Sequence, residues 1–241
     1  MLANSLMKAL KNAYVEPTYS TNGLLLMPNG INNSVSIIDS STTHKSISVG
    51  GNTKVLTNIN PFGLAAGSFY FDGVGDYLST PSNAELNNFG SGNFVISLWF
   101  YVDSANSGNL NTLLICASDY PTTFSFAIIA RVGGLLTVAL GSGSSGLNYV
   151  SPTNTYSYNA WHYLEVNCIN NVRRVILDGV ILTTTSSAVI SIADTATIYL
   201  GIFNDASSHC LKGNLAYLRI AKGAIGHTEN YTVPTSPPPI A

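Results

Sequence analysis

Phe69-Tyr70-Phe71-Asp72-Gly73-Val74-Gly75-Asp76-Tyr77-Leu78-Ser79-Thr80 reads as strand, turn, strand. The apolar run Phe69–Phe71 stops at an Asp-Gly-x-Gly-Asp turn, where glycine supplies the positive φ that tight turns need. A second strand begins at once with Tyr77-Leu78. The same grammar continues on both sides: short apolar runs are separated by Gly, Asn, Ser or Pro clusters, which is how strands joined by turns look in sequence. Upstream are Gly23-Leu24-Leu25-Leu26 and Val35-Ser36-Ile37-Ile38, the latter leading into Asp39-Ser40-Ser41. Downstream, Phe94-Val95-Ile96-Ser97-Leu98-Trp99-Phe100-Tyr101-Val102 places Phe94, Ile96, Leu98, Phe100 and Val102 on one face and Trp99 and Tyr101 on the other. Bulk on both faces predicts a strand inside a large sandwich rather than at its edge.

Further along, Thr112–Ala117, Thr123–Val132 and Leu135–Leu140 continue the series, with Gly133-Gly134 as a two-residue turn. Trp161 to Thr184 predicts a meander: Asn170-Asn171 and Asp178-Gly179 each sit between apolar runs, and Asp-Gly there is a strong hairpin signal. Thr197–Gly201 and Asn214–Ile220 close the set. Trp99 and Trp161 are both expected to be buried. The amino end differs. Leu2, Leu6, Leu10 and Tyr14 repeat every four residues, with Lys8 and Lys11 off the stripe, so a short amphipathic helix is expected over Met1–Tyr14. A helix this short is marginal alone, so it is expected to dock on a neighbouring subunit. The chain divides into a helix and linker over 1–22, a β-sandwich over 23–233 and a Pro-rich tail over 234–241.

The composition narrows the function. Hydrophobic residues make up 46% of the 241 and charged residues only 9%, against about 25% charged in an ordinary domain. Ser, Thr, Asn and Gly replace the charge. This fits an ordinary all-β protein of secreted type, or one whose surface is buried against neighbours in an assembly. With a net charge of −2 and only one basic doublet, Arg173-Arg174, the chain lacks the basic stripe of a nucleic-acid binder. No apolar run reaches the ~18 residues of a membrane span. The first residues do not read as a secretory leader, since Lys8 and Lys11 follow the first apolar residues. Cys116, Cys168 and Cys210 make neither a disulfide framework nor a zinc pattern. They point to synthesis in a reducing cytoplasm.

The ordered motifs resemble the laminin-G-like, concanavalin-A-like sandwich domains of phage virion and tail proteins. The resemblance rests on Asp39-Ser40-Ser41, Phe62-Gly63-Leu64-Ala65-Ala66, the Phe71–Leu78 turn, Arg219-Ile220-Ala221-Lys222-Gly223, His227-Thr228 and Tyr231-Thr232-Val233-Pro234 with Pro237. It spans roughly Gly23 to Pro234. It implies an all-β jelly roll, and a virion protein of a tail, fibre or head decoration, made in the host cytoplasm. Its partners would be other virion proteins or its own copies, and host-surface glycans. A purely structural virion protein without sugar binding, and a bacterial lectin or adhesin, are the alternatives. In this group the first strand often ends in Asp-Gly, whose acid helps to hold calcium. Here the pair is Asn29-Gly30. Asp39, Asp72 and Asp76 are left as calcium ligands, and capping of their own turns is the competing reading. No cofactor and little calcium dependence are expected.

Catalytic patterns are missing. Glycoside hydrolysis needs two carboxylates, yet Glu16, Glu85, Glu165 and Glu229 have no acid two or four positions away. No Gly-x-Ser-x-Gly elbow occurs, and a non-enzymatic role is expected. Sugar recognition needs aromatic faces beside amides and carboxylates on loops. Tyr120, Asn148, Tyr149, Tyr156, Tyr158, Asn204 and Asp205 are the candidates. Packing of these tyrosines within the sandwich or at a subunit interface is the other reading.

Overall fold

A computed structural model describes residues 23–28, 30–63, 67–83, 85–86, 92–141, 147–153, 155–186, 196–223 and 226–237. The helix expected over Met1–Tyr14, with its stripe of Leu2, Leu6, Leu10 and Tyr14, lies outside the described residues, as do the 15–22 linker, Asn29, Asn154 and residues 238–241.

Two antiparallel sheets face each other. The first has eight strands. Its order is β13 (Val180–Ser186), β12 (Val172–Leu177), β11 (Trp161–Ile169), β6 (Phe94–Val102), β15 (Lys212–Lys222), β4 (Ser68–Asp72) and β3 (Lys54–Leu56), with β1 (Gly23–Leu26) on the second half of β15. The second has seven: β10 (Leu147–Val150), β9 (Leu135–Leu140), β8 (Thr123–Arg131), β7 (Asn111–Asp119), β14 (Ile198–Leu200), β5 (Tyr77–Thr80) and β2 (Ser48–Gly50). The Phe69–Thr80 stretch therefore crosses between the layers, since β4 lies in the first sheet and β5 in the second.

The period-2 pattern is obeyed. Phe94, Ile96, Leu98, Phe100 and Val102 enter the core with Leu164, Val166, Val175 and Leu215 of the same sheet. They meet Leu78, Leu114, Phe126, Ile128, Val138 and Leu200 of the other. Trp99 points to the outer face, where it packs with Met27, Tyr163, Ala216 and Tyr217. Trp99 is buried, whereas Trp161 is only partly so and sits at the rim of this cluster. Asn170, Asn171, Asp178 and Gly179 all take positive φ, the geometry of the two-residue hairpins read from sequence. Cys116 and Cys168 are buried free thiols. Among the described residues no helix is long and apolar enough to cross a membrane.

The segment 226–234 runs back over the outer face of the first sheet. Tyr231 N–H donates to the Gly179 carbonyl at 2.9 Å, and Asn230 Oδ1 accepts from Ile181 N–H at 2.9 Å. Tyr231 and Val233 pack against the Trp99 cluster, and Pro234, assigned to the tail from sequence, is buried.

Candidate functional site

The acidic candidates brace turns. Asp39 is buried, and its carboxylate accepts from Leu25 N–H and Ser41 N–H, both at 2.9 Å, from Ser41 Oγ at 2.7 Å and from Lys45 N–H at 2.8 Å. Asp76 accepts from Asn52 N–H and from Asp72 N–H, and Asp72 accepts from Val74 N–H at 2.7 Å. Burial pushes the Asp76 carboxyl above its usual range, and the charge of Asp72 adds to this against the two backbone donors. Calcium takes six to eight oxygens. These carboxylates already serve backbone N–H groups, and no group of three or more His, Cys, Asp or Glu among the described residues is arranged to hold a metal. The residues present do not fit calcium.

The tyrosine candidates divide into two groups. Tyr120 precedes β8 and packs edge-on against Phe124 (5.0 Å) and Phe203 (5.9 Å), on the outer face of the second sheet. Burial raises its phenol pKa. Asn204 and Asp205 follow Phe203 on the neighbouring loop. Asp205 accepts from Ser207 N–H at 2.9 Å and Ser208 N–H at 2.8 Å. Slight burial opposes ionisation there, but these bonds outweigh it and hold the carboxyl low. Asn204 Oδ1 is buried with no hydrogen-bond partner among the described residues.

The second group sits beyond the other end of β8, a nine-residue strand, which separates the two backbones by about 30 Å. Tyr156 is buried, with its ring edge-on to Phe100 at 5.5 Å and its hydroxyl donating to the Arg131 carbonyl at 3.0 Å. Burial raises its phenol far above the ordinary value. Tyr158 accepts from Gly134 N–H at 3.2 Å and donates to the Ser107 carbonyl at 3.2 Å. Gly133 and Gly134 both have positive φ, which lets the backbone turn tightly beneath these rings. Together Gly133, Gly134, Thr155, Tyr156, Ser157, Tyr158 and His162 line an open cavity of about 550 Å³. Asn148 and Tyr149 lie on β10 instead. Asn148 is exposed opposite Ala139, and Tyr149 is half-buried against the core.

His162 was not among the sequence candidates. Its Nδ1 lies 2.6 Å from Asp178 Oδ2, and Asp178 Oδ1 accepts from Tyr163 N–H at 2.8 Å. Its Nε2 lies 3.1 Å from Ser157 N and 3.2 Å from Ser157 Oγ. Serine, histidine and aspartate thus stand in the order of a hydrolytic relay. With Nδ1–H given to Asp178, however, the Nε2 lone pair accepts the Ser157 backbone N–H, so the arrangement clamps the loop. The signal was present in the meander: Leu164 pairs with Leu177, which sets His162 and Tyr163 beside the Asp178 turn.

The lone acid of the sequence reading, Glu165, is buried at 1% exposure beneath the 226–234 segment. It accepts from Asn167 Nδ2 at 2.6 Å, His227 N–H at 2.8 Å and Tyr231 Oη at 3.0 Å, and pairs with His227 Nδ1 at 2.6 Å. The His227 and Tyr231 rings stack at 3.5 Å. Burial alone would raise the Glu165 pKa. The bonds and charge from His227, with Asn167, outweigh it and hold the carboxyl below its usual range.

Solved structures with this architecture include the binding domain of Paraclostridial Mosquitocidal Protein 1, at TM-score 0.60 and 14% identity, covering 85% of this chain and 50% of that one. The receptor binding domain of botulinum neurotoxin D gives TM-score 0.60 at 13% identity, covering 86% and 50%. The serotype D ligand binding domain in complex with N-acetylneuraminic acid gives 0.59 at 15%, covering 86% and 48%. The chain spans about half the length of these proteins, and at such identities the likeness is one of fold. No curated protein matches the sequence. The profile described as the concanavalin A-like lectin/glucanases superfamily, of the laminin-G type, matches residues 72–229, more than half of the chain, and the chain belongs to that superfamily.

Proposed function

We propose that this domain is a non-enzymatic virion protein of a phage, in the tail, a fibre or a head decoration, that binds host-surface glycans. The observation that carries the binding reading is the cavity beside His162. It combines an aromatic wall (Tyr156, Tyr158), hydroxyls (Thr155, Ser157) and an imidazole, on loops held by a rigid sandwich. Small-molecule sites commonly have this mixture. One structural neighbour carries N-acetylneuraminic acid, which makes acidic sugars the first to try. The non-enzymatic reading is supported by Glu165, sealed under His227 and Tyr231, and by His162 Nε2, filled by a backbone N–H. Synthesis in the host cytoplasm agrees with the free thiols. The low charge, and the leucine stripe of Met1–Tyr14, favour other virion proteins or further copies of the chain as assembly partners.

A glycan array probed with multivalent protein tests the binding, since weak sites gain strongly from multivalency. Ser157 is exposed, so Ser157→Trp plugs the cavity without touching the core. The expected result is loss of glycan signal with unchanged melting. Equal signal from Ser157→Trp refutes the site. No signal from wild type leaves the structural virion role, and antibody labelling of intact particles separates both from a bacterial adhesin.

A further inference from the structure

Strand register builds a row of side chains on the outer face of the first sheet. Lys54 lies beside Tyr70, Tyr70 beside Asn214, Asn214 beside Tyr101, and Tyr101 beside Trp161. Each residue comes from a different one of five adjacent strands, β3, β4, β15, β6 and β11. Alternation turns all of them outward, because their neighbours Val55, Phe69, Leu215, Phe100 and Leu164 enter the core. Four strand spacings make the row about 19 Å long. Farther along the same face, Trp99 and Tyr163 are buried, with Phe62, Tyr231 and Val233 packed against them. Tyr70, Tyr101 and Trp161 stay only half-buried. The Tyr101 and Trp161 rings lie 5.7 Å apart at 53°. Asn214, in register between the two tyrosines, is buried and donates from Nδ2 to Ser68 Oγ at 2.9 Å.

A solvated sheet face ordinarily carries polar side chains, yet here three large rings stand in line. Tyrosine and tryptophan join an apolar face to a polar tip. Among the described residues, the Lys54 ammonium, the Tyr70 hydroxyl and the Trp161 indole N–H have no hydrogen-bond partner. Burial raises the Tyr70 phenol pKa, and the charges of Asp72, Asp76 and Asp103 add to this. Carboxylates therefore border the row, and Lys212 lies opposite Asp72. Charges of both signs favour a ligand rich in hydroxyls over one with a net charge. We propose that this row is a second glycan site, which takes an uncharged polysaccharide laid across the strands. It rests on the glycan reading for its class of ligand but not on the cavity, where acidic sugars are the first to try. The length of the row is the argument for a polymer. One sugar covers one ring, whereas rings spread over ~14 Å act together only on a linked chain, in which each contact raises the effective concentration for the next.

The full-length protein is titrated with the maltose, cellulose and chitin series, from monosaccharide to hexasaccharide, by calorimetry and by tryptophan fluorescence. In wild type, affinity for at least one series should rise with chain length. Trp161 should respond, while buried Trp99 stays silent. Tyr101→Ala and Trp161→Ala should each weaken the longest oligomer about tenfold and change the monosaccharide little. Tyr101→Phe, which keeps the ring, should bind nearly as wild type does. Where Tyr101→Ala does not fold, Tyr70→Ser reads the same row from its other end. Ser157→Trp, which plugs the cavity, should leave the titrations unchanged. The proposal is overturned if no series binds wild type, if affinity ignores chain length, or if the alanine variants bind as wild type does. Loss of binding in Ser157→Trp also overturns it, by assigning the oligomer to the cavity. So does a wild-type dimer that Tyr101→Ala makes monomeric with sugar binding unchanged, since the face then belongs to a second copy of the chain.

Discussion

Glu165 and Asp76 are both buried carboxylates, at 1% and 0% exposure, yet the fold moves them in opposite directions. Glu165 is held below its ordinary pKa and Asp76 above it. Exposure does not separate them, so the partners must. Glu165 has four donors, two of them from His227, whose ring can carry positive charge. Asp76 has two backbone donors and a second carboxylate, Asp72, beside it. A buried charge is tolerated where opposite charge and hydrogen bonds offset its lost hydration. The Glu165 cluster ties the 226–234 segment to the first sheet, whereas Asp76 fastens its own turn to the neighbouring turn at Asn52.

The largest test of this contrast is Glu165→Ala. It strands His227, Tyr231 and Asn167 without their common acceptor, and breaking a buried pair costs ~3–5 kcal/mol. Chemical denaturation should show this loss, and protease should cut first within 226–237. A loss below ~1 kcal/mol, the value of a surface pair, would erase the distinction. Asp76→Ala should cost less, about 1–3 kcal/mol for the unsatisfied N–H groups of Asn52 and Asp72, with the C-terminal segment still protected. Gly226→Ala should fall lower still. A methyl group there meets Asn167 Nδ2 at 2.8 Å and Glu165 Oε1 at 2.9 Å, and an amide shift at Asn167 relieves part of the clash. Normal stability in this variant would mean that the segment sits less tightly than described.

The smallest and sharpest test is pH. A lowered carboxylate contributes stability that is complete above its unfolded value and is lost as pH falls through the folded value. A raised carboxylate does the reverse, and its penalty disappears on acidification. Wild type should therefore lose stability through and below the carboxylate range, and Glu165→Gln should flatten that loss. Asp76→Asn should steepen it, because the opposing contribution is gone. Denaturant midpoints across a pH series decide the signs, and equal slopes in all three proteins would show that neither group matters.

Strands and hairpins were legible because period-2 alternation and Asn-Asn or Asp-Gly turns are local signals. The seven ligand candidates did not form one site. Only Tyr156 and Tyr158 reach the cavity, and Tyr156 turns inward onto Phe100, so its alanine variant reports on packing as much as on binding. Tyr120 was called from its loop position, but the Phe203 ring that shelters it comes from a distant strand connection. Glu165 looked isolated because its partner His227 lies 62 residues away, a pairing that only the chain's return over the sheet creates. Trp161 looked as buried as Trp99, but it begins its strand at the rim.

The Asp178-Gly179 turn touches both the cavity and the C-terminal segment. Its aspartate holds His162 at the cavity, and its glycine carbonyl receives Tyr231 N–H from the C-terminal segment. A methyl group on Gly179 would stand 1.9 Å from the Tyr231 carbonyl, so the contact leaves no slack. Seen as a mechanical part, the turn is a coupling: the hairpin that receives Tyr231 from the carboxyl-terminal segment is the one whose aspartate holds His162. Pulling single molecules from that end should detach 226–237 as the first event, at a force that Glu165→Ala lowers. Pulling from β1 should not.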